Sequence, residues 1–130
     1  NVFGIFAKST KYGIDYAFVE KRIRAGIRNA TDGQYQVTYL DPTEMLDWTY
    51  ITMVYKSETA DGLRLYVNGE LKNSQTTIGL SDFSSTQNLF IGGAAAVGGS
   101  PRSFNGDLFD ARFYNRALSD DEVQRLYEVR

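Results

Sequence analysis

The side chains able to do chemistry in this 130-residue chain are its carboxylates, arginines and tyrosines, because it contains no histidine and no cysteine. Without histidine there is no Ser-His-Asp or Cys-His nucleophile, and the commonest metal ligand is missing. Without cysteine there are no disulfides and no thiolate metal sites. Paired carboxylates could hydrolyse a glycosidic bond, which requires two acids flanking a cleft. On a strand, alternate residues share a face, so the pattern to look for is Glu-x-Asp-x-Glu, and it is absent. Asp32, Asp41, Asp61 and Asp82 fall in turn sequences, and Asp120, Asp121 and Glu122 open a helix. Asp107 and Asp110 flank an expected strand, where a spacing of three puts them on opposite faces. Gly92-Gly93 and Gly98-Gly99 match no phosphate-cradling pattern, and no helix follows them. The chain therefore reads as a non-enzyme.

Two groups suit recognition better than catalysis. Arg22, Arg24 and Arg28 line one face of a strand and form a cationic row for an acidic sugar or other anion. The competing reading is the solvated side of a half-buried strand. Tyr35 and Tyr39 could stack on sugar rings, but they share a face with Val37, which points them toward a core.

The elements that must position these residues are mostly strands, because apolar residues recur with period two between turn signals. The expected strands are Val2 to Lys8, Tyr12 to Val19, Arg22 to Arg28, Gln34 to Tyr39, Thr49 to Lys56 opened by Trp48, Leu63 to Val67, Leu71 to Thr77 and Leu89 to Gly92. A last strand is expected within Phe104 to Asn115, with Phe109, Ala111 and Phe113 on one side. Asp32-Gly33 and Asp61-Gly62 mark turns, Asp41 to Glu44 a loop, and Gly93 to Ser103 a long glycine- and alanine-rich loop. Asn68-Gly69 is the strongest hairpin signal, since a type I′ turn needs positive φ at both positions. The one helix is C-terminal. Ser119 and Glu122 spell a capping box, Leu118 and Val123 a hydrophobic staple, and Val123, Leu126 and Tyr127 an apolar stripe.

Composition agrees with this layout. The chain is 14% aromatic, with nine Tyr, eight Phe and 12 Gly against only 2 Pro, which suits strands joined by tight turns. Its formal charge of -2, with signs interspersed, gives no footprint for nucleic acid or for a membrane surface. No apolar run reaches the length of a membrane span, and no charged-then-apolar leader opens the residues given.

From Trp48 onward the chain resembles the laminin-G-like, concanavalin A-like jelly-roll family. Trp48 followed by Tyr50-Ile51-Thr52-Met53-Val54-Tyr55 is similar to that family's Trp-initiated central strand. Leu63 to Leu71 is similar to its hairpin, and Leu89 to Gly93 to the strand after it. Phe104 to Leu108 and Arg112 to Ser119 are similar to its closing strand and cap. The resemblance implies an all-β, two-sheet antiparallel β-sandwich with one short C-terminal helix, spanning residues 1–130 as a single domain. Two departures stand out. Phe109 occupies a position where many relatives carry an aspartate, and the family's usual N-terminal strands have no counterpart before Gly4 to Lys8.

The resemblance implies a carbohydrate-binding, lectin-like module of a larger extracellular, cell-surface or virion protein, with a glycan or cell-surface polysaccharide as partner. The alternative is a structural or assembly domain of a phage tail fibre or surface protein. A third reading is a glycosidase fragment. The ligand candidates are Arg22, Arg24, Arg28, Tyr35 and Tyr39. No cofactor is required. Where an ion binds, Ca2+ on Asp61 and Asp107 is the expectation, supplemented by carbonyls, because a hard cation needs several oxygens. The absent strands imply an open sheet edge, covered by an adjoining N-terminal segment, by a second copy in a homo-oligomer, or by a shuffled strand order within this chain.

Overall fold

The computed structural model describes residues 2–8, 11–28, 34–40, 47–77, 86, 88–93 and 103–129. The expected Asp32-Gly33 turn, the Asp41 to Glu44 loop and most of the Gly93 to Ser103 loop lie outside these residues.

The alternating segments pair into two antiparallel sheets. The larger holds β1 (Val2–Lys8), β2 (Tyr12–Ala17), β3 (Arg22–Arg28), β4 (Gln34–Leu40) and β8 (Leu89–Ile91) in the order β4-β3-β2-β1-β8. The smaller holds β5 (Ile51–Tyr55), β6 (Leu63–Val67) and β7 (Glu70–Gln75) in the order β5-β6-β7. Their inner faces meet in one core, where Ile14, Ile23, Ala25, Ile27 and Val37 pack with Leu63, Leu65 and Val67. The register of β1 on β2 shifts between Gly4 and Phe6, a bulge that lets both Ile5 and Phe6 pack against that core.

A second, smaller core covers the outer face of β6. Val54 and Tyr66 pack there against Leu118 and Val123, which brings helix α1 (Asp120–Glu128) onto the sheet. The capping box forms as the spacing predicts: the Ser119 hydroxyl accepts from the Glu122 N–H and the Glu122 carboxylate accepts from the Ser119 N–H. Arg64 donates to Asp120 and to the Leu118 carbonyl, and the buried Tyr66 hydroxyl also donates to Asp120. β6 is thus covered on both faces.

Two turns depend on specific backbone geometry. Asn68 and Gly69 take φ of 52° and 81°, the positive pair of a type I′ hairpin, and Asn68 also exchanges hydrogen bonds with Tyr50. Gly62 is buried so tightly against Thr77 and the Lys56 carbonyl that a Cβ has no room. The Thr77 hydroxyl donates to that carbonyl over 2.8 Å and closes the turn.

The sheets meet along one side through polar side chains. Asn73 donates to the Thr38 carbonyl over 2.8 Å, and the Gln36 N–H donates to the Gln75 side chain over 3.0 Å. β7 therefore covers the edge of β4, one of the ways folded proteins protect a sheet edge.

Three expectations need correction. The second strand stops at Ala17, and Phe18 and Val19 are exposed in the turn that follows. Trp48 stands outside its strand, which begins at Ile51. The last strand does not form: residues 103–119 carry no ladder pairing with any described residue, and Phe109, Ala111 and Phe113 are all exposed. A strand is a pairing between two edges, and residues 103–119 pair with none among the described residues.

Gly69→Val is expected to cost about 2 kcal/mol or more, since it forces a β-branched residue to positive φ. Its Cβ would also approach Tyr127 to 3.0 Å. Urea unfolding checks this: a midpoint equal to that of the parent chain would remove the hairpin from the list of constraints on β6 and β7.

Candidate functional site

A cleft of about 2170 Å3 opens between the described elements. One wall is the inner surface of β1 and β2, a second is β5, and a third is the irregular segment 103–119. That volume is more than a small-molecule pocket requires, since those run to roughly 1,000 Å3.

Segment 103–119 has no sheet to hold it, and discrete contacts fix it instead. The Phe104 N–H donates to the Gly92 carbonyl over 2.8 Å, and the Gly92 N–H donates to the Ile5 carbonyl over 2.7 Å. Gly92 takes φ of 76°, so glycine is required at this joint. Phe113 stacks edge-on against Phe6 at 5.5 Å between centroids. Asp110, at φ 58°, grips Arg112 through two bonds of 2.7 and 2.8 Å, and this pairing raises the Arg112 pKa. At the far end Arg116 grips Glu122 in the same forked way at 2.8 Å, and Leu118 is buried in the outer core.

The rim carries a pair of bare aromatics. Trp48 is 68% exposed and Phe109 84% exposed, and their rings meet edge-to-face at 6.4 Å. Water-facing aromatics in contact with each other, held by different parts of the chain, make a platform for an apolar ligand face. In sequence, Phe109 stands where the resemblance places an aspartate in many relatives, which points to a missing carboxylate and not to an aromatic surface, and Trp48 reads only as the opening of a strand.

Among the described residues, the charges lining the cleft balance. Asp47, Asp107, Asp110, Asp120 and Asp121 stand against Lys21, Lys56, Arg64, Arg112 and Arg116. Asp110 and Asp120 are held by Arg112 and Arg64, leaving little field for a charged ligand. The same pairings occupy two of the carboxylates that hydrolysis would need to place freely.

The candidates read from the sequence lie elsewhere. Arg22, Arg24 and Arg28 project from the outer face of β3, opposite the core residues Ile23, Ala25 and Ile27. Arg24 is not open, because it forms a bidentate pair with Asp15 of β2 whose shortest contact is 2.5 Å. Tyr35 and Tyr39 pack against the inner core, as their face-sharing with Val37 implied, and Lys72 sits 5.1 Å over the Tyr39 ring. Asp61 accepts from the Ser74 hydroxyl over 3.0 Å at the turn before β6, and Asp107 is exposed along the cleft. No group of three or more acidic side chains able to hold a metal occurs among the described residues.

Comparison with known proteins settles the family. A family model described as the concanavalin A-like lectin/glucanases superfamily, Laminin_G_3, matches residues 2–124. The chain belongs to this superfamily. No curated protein matches it. Among solved structures it is similar to an HCR/D mutant, with a TM-score of 0.66 and 17% identity over 99% of this chain and 33% of the other. It is also similar to an S-layer domain-containing protein from Clostridium thermocellum, with a TM-score of 0.51 and 22% identity over 93% of this chain and 58% of the other. The chain thus spans a third of one neighbour and somewhat over half of the other, and at these identities the likeness is one of fold. No helix among the described residues is long and apolar enough to cross a membrane.

The Glu122 carboxyl has its pKa lowered from 4.5 to about 2, first by the Arg116 bonds and then by the Ser119 N–H. A depressed folded pKa means that the contribution is complete above the ordinary value of 4.5 and fades as pH falls toward 2. Acid melts are expected to show helix α1 loosening in that window, and Glu122→Gln to flatten the dependence. An unchanged acid profile in that variant would show that the box does not hold this end of the segment.

Proposed function

We propose that this lectin-like domain is a non-catalytic binding module for a neutral glycan, with the sugar stacked on Trp48 and Phe109. The exposed aromatic pair at the rim of the cleft carries this reading. A sugar ring offers a C–H face that an aromatic ring can cover, and the hydroxyls around its edge need donors and acceptors. Asn105 and Asn115 line the same cleft and can supply them, and the balanced charges favour an uncharged chain of sugars. The cleft's size suits an oligosaccharide. Membership of a lectin/glucanase superfamily supports the ligand class, and the S-layer neighbour supports a place at the cell surface or outside it.

The outer face of β3 supplies a second reading, an anionic glycan held by Arg22 and Arg28, with Arg24 shared with Asp15. The two readings use different surfaces, the rim of the cleft and the outer face of β3, so mutations separate them.

A glycan array followed by titration calorimetry is the test. Trp48→Ala and Phe109→Ala are each expected to weaken binding by about tenfold or more, a loss of about 1.4 kcal/mol, with circular dichroism unchanged. The triple Arg22→Gln, Arg24→Gln, Arg28→Gln variant is expected to bind like the parent. The reverse pattern would move the site to the outer face, and no glycan bound at all would refute the reading.

A further inference from the structure

We propose that the forked Asp110–Arg112 pair is a positioning device for the aromatic platform, holding Phe109 against Trp48 before any ligand arrives. The purpose of this device rests on the glycan reading, whereas the positioning is measured on the free protein and stands or falls without a sugar.

At 84% exposed, Phe109 is not held by burial, and its ring meets that of Trp48, which is itself on the surface. One edge-to-face contact in water does not outweigh the entropy of fixing the backbone that carries it. The chain on either side must therefore set where Phe109 stands. On the N-terminal side Leu108 reaches the joint at Gly92, its Cδ1 3.6 Å from where a Gly92 Cβ would be. On the C-terminal side Asp110 takes φ of 58°. A residue at positive φ bends an otherwise extended chain, and Asp is one of the few non-glycine residues that accept it. With that bend between them, Phe109 and Phe113 reach different partners, Trp48 on the rim and Phe6 of β1.

Arg112 locks the bend. Its Nε and Nη2 donate to the two carboxylate oxygens of Asp110 over 2.7 and 2.8 Å, across the single intervening residue Ala111. A fork fixes the plane of the carboxylate as well as its distance, so Asp110 turns only by breaking both bonds. The Arg112 pKa is raised first by Asp110 and then by the Tyr114 side chain, so the guanidinium is held from both sides. The cluster stands beside Tyr50, whose phenol is held above its ordinary pKa first by burial and also feels the charges of Arg112, Tyr114 and Asp110. Tyr50 follows Trp48 by two residues and is tied to Asn68 of the hairpin, so the fork lies next to the stretch that carries the other ring. An ion pair this open to water adds little to global stability. Its effect is local: part of the ordering of a segment without a ladder is done in advance, and a ring already in place loses less freedom when a sugar covers it.

Trp48 is the only tryptophan in the chain, so tryptophan emission and its quenching by acrylamide report this contact directly. Phe109→Ala sets the full effect, a red-shifted spectrum and easier quenching. Asp110→Gly keeps a residue at ease with positive φ but removes the carboxylate, and Arg112→Gln removes the fork from the other end. Both are expected to reproduce most of the Phe109→Ala effect although Phe109 is still present, with circular dichroism and melting temperature as in the parent. Asp110→Asn accepts the same φ and offers Arg112 an amide oxygen, and it should stay near the parent. Parent-like quenching in either Asp110→Gly or Arg112→Gln overturns the proposal, and so does a fall in melting temperature that accompanies the quenching change. No change in Phe109→Ala overturns it as well, because the rings would then not touch in solution. Toward the neutral oligosaccharide with the strongest array signal, Asp110→Gly and Arg112→Gln should bind about fivefold more weakly. Altered quenching with unchanged affinity would support the fork and count against the glycan reading alone.

Discussion

The structure depends on β6 being apolar on both of its faces. Leu63, Leu65 and Val67 anchor the inner core, while Tyr66, pointing the other way, anchors the outer one with Val54, Leu118 and Val123. One five-residue strand therefore joins the two sheets and seats the helix. Burying side chains of this kind is worth roughly 1.5–3 kcal/mol each. The turns at either end of β6 are correspondingly strict. Asp61 and Asn68 both take positive φ, Gly62 has no space for a Cβ, and Gly69 abuts the Tyr127 ring. The polar contacts above β6 follow from the same burial. Tyr66 must satisfy its hydroxyl, Asp120 accepts it, and Arg64 compensates the carboxylate. That burial and the bond to Asp120 also hold the Tyr66 pKa well above its ordinary value.

From this centre the sandwich is asymmetric. On one side Asn73 and Gln75 of β7 satisfy the backbone of β4, and the sheets close. On the other side nothing comparable joins β1 or β8 to β5 among the described residues, and the cleft opens there. Many of the exposed large apolar side chains line this open side, Phe18, Trp48, Ile91, Leu108, Phe109 and Phe113 among them. Scattered exposed apolar residues need no explanation, but a concentration around one concavity marks a surface made to be covered. Among the described residues, closing one side thus leaves the apolar surface concentrated on the other.

Much of this was legible from residue order. Period-two alternation located the core strands, because their inner and outer faces meet different environments. The Asn-Gly pair and the capping box acted through local backbone geometry that no distant contact overrides. Phe104 to Asn115 departs from its pattern for the opposite reason. Its alternation is strand-like, but a strand is a relation between two edges, and local pattern does not say whether a partner is present. The site was hidden by the same gap. Arg24 looked like part of an open cationic row because its neutraliser, Asp15, lies on the next strand. Trp48 and Phe109 are 61 positions apart in sequence, and their contact exists only once segment 103–119 crosses the open side.

The rim depends on segment 103–119, which is held at discrete points and not by a ladder, and that has an energetic consequence. The segment is tethered at Phe104, Phe113 and Leu118 but has no ladder to immobilise the stretch that carries Phe109. Ordering that stretch on a ligand costs conformational entropy of about 1–2 kcal/mol per residue fixed. A ligand that stacks on Phe109 would have to recover that entropy from its own contacts, so any binding at the rim is expected to be weak at a single site.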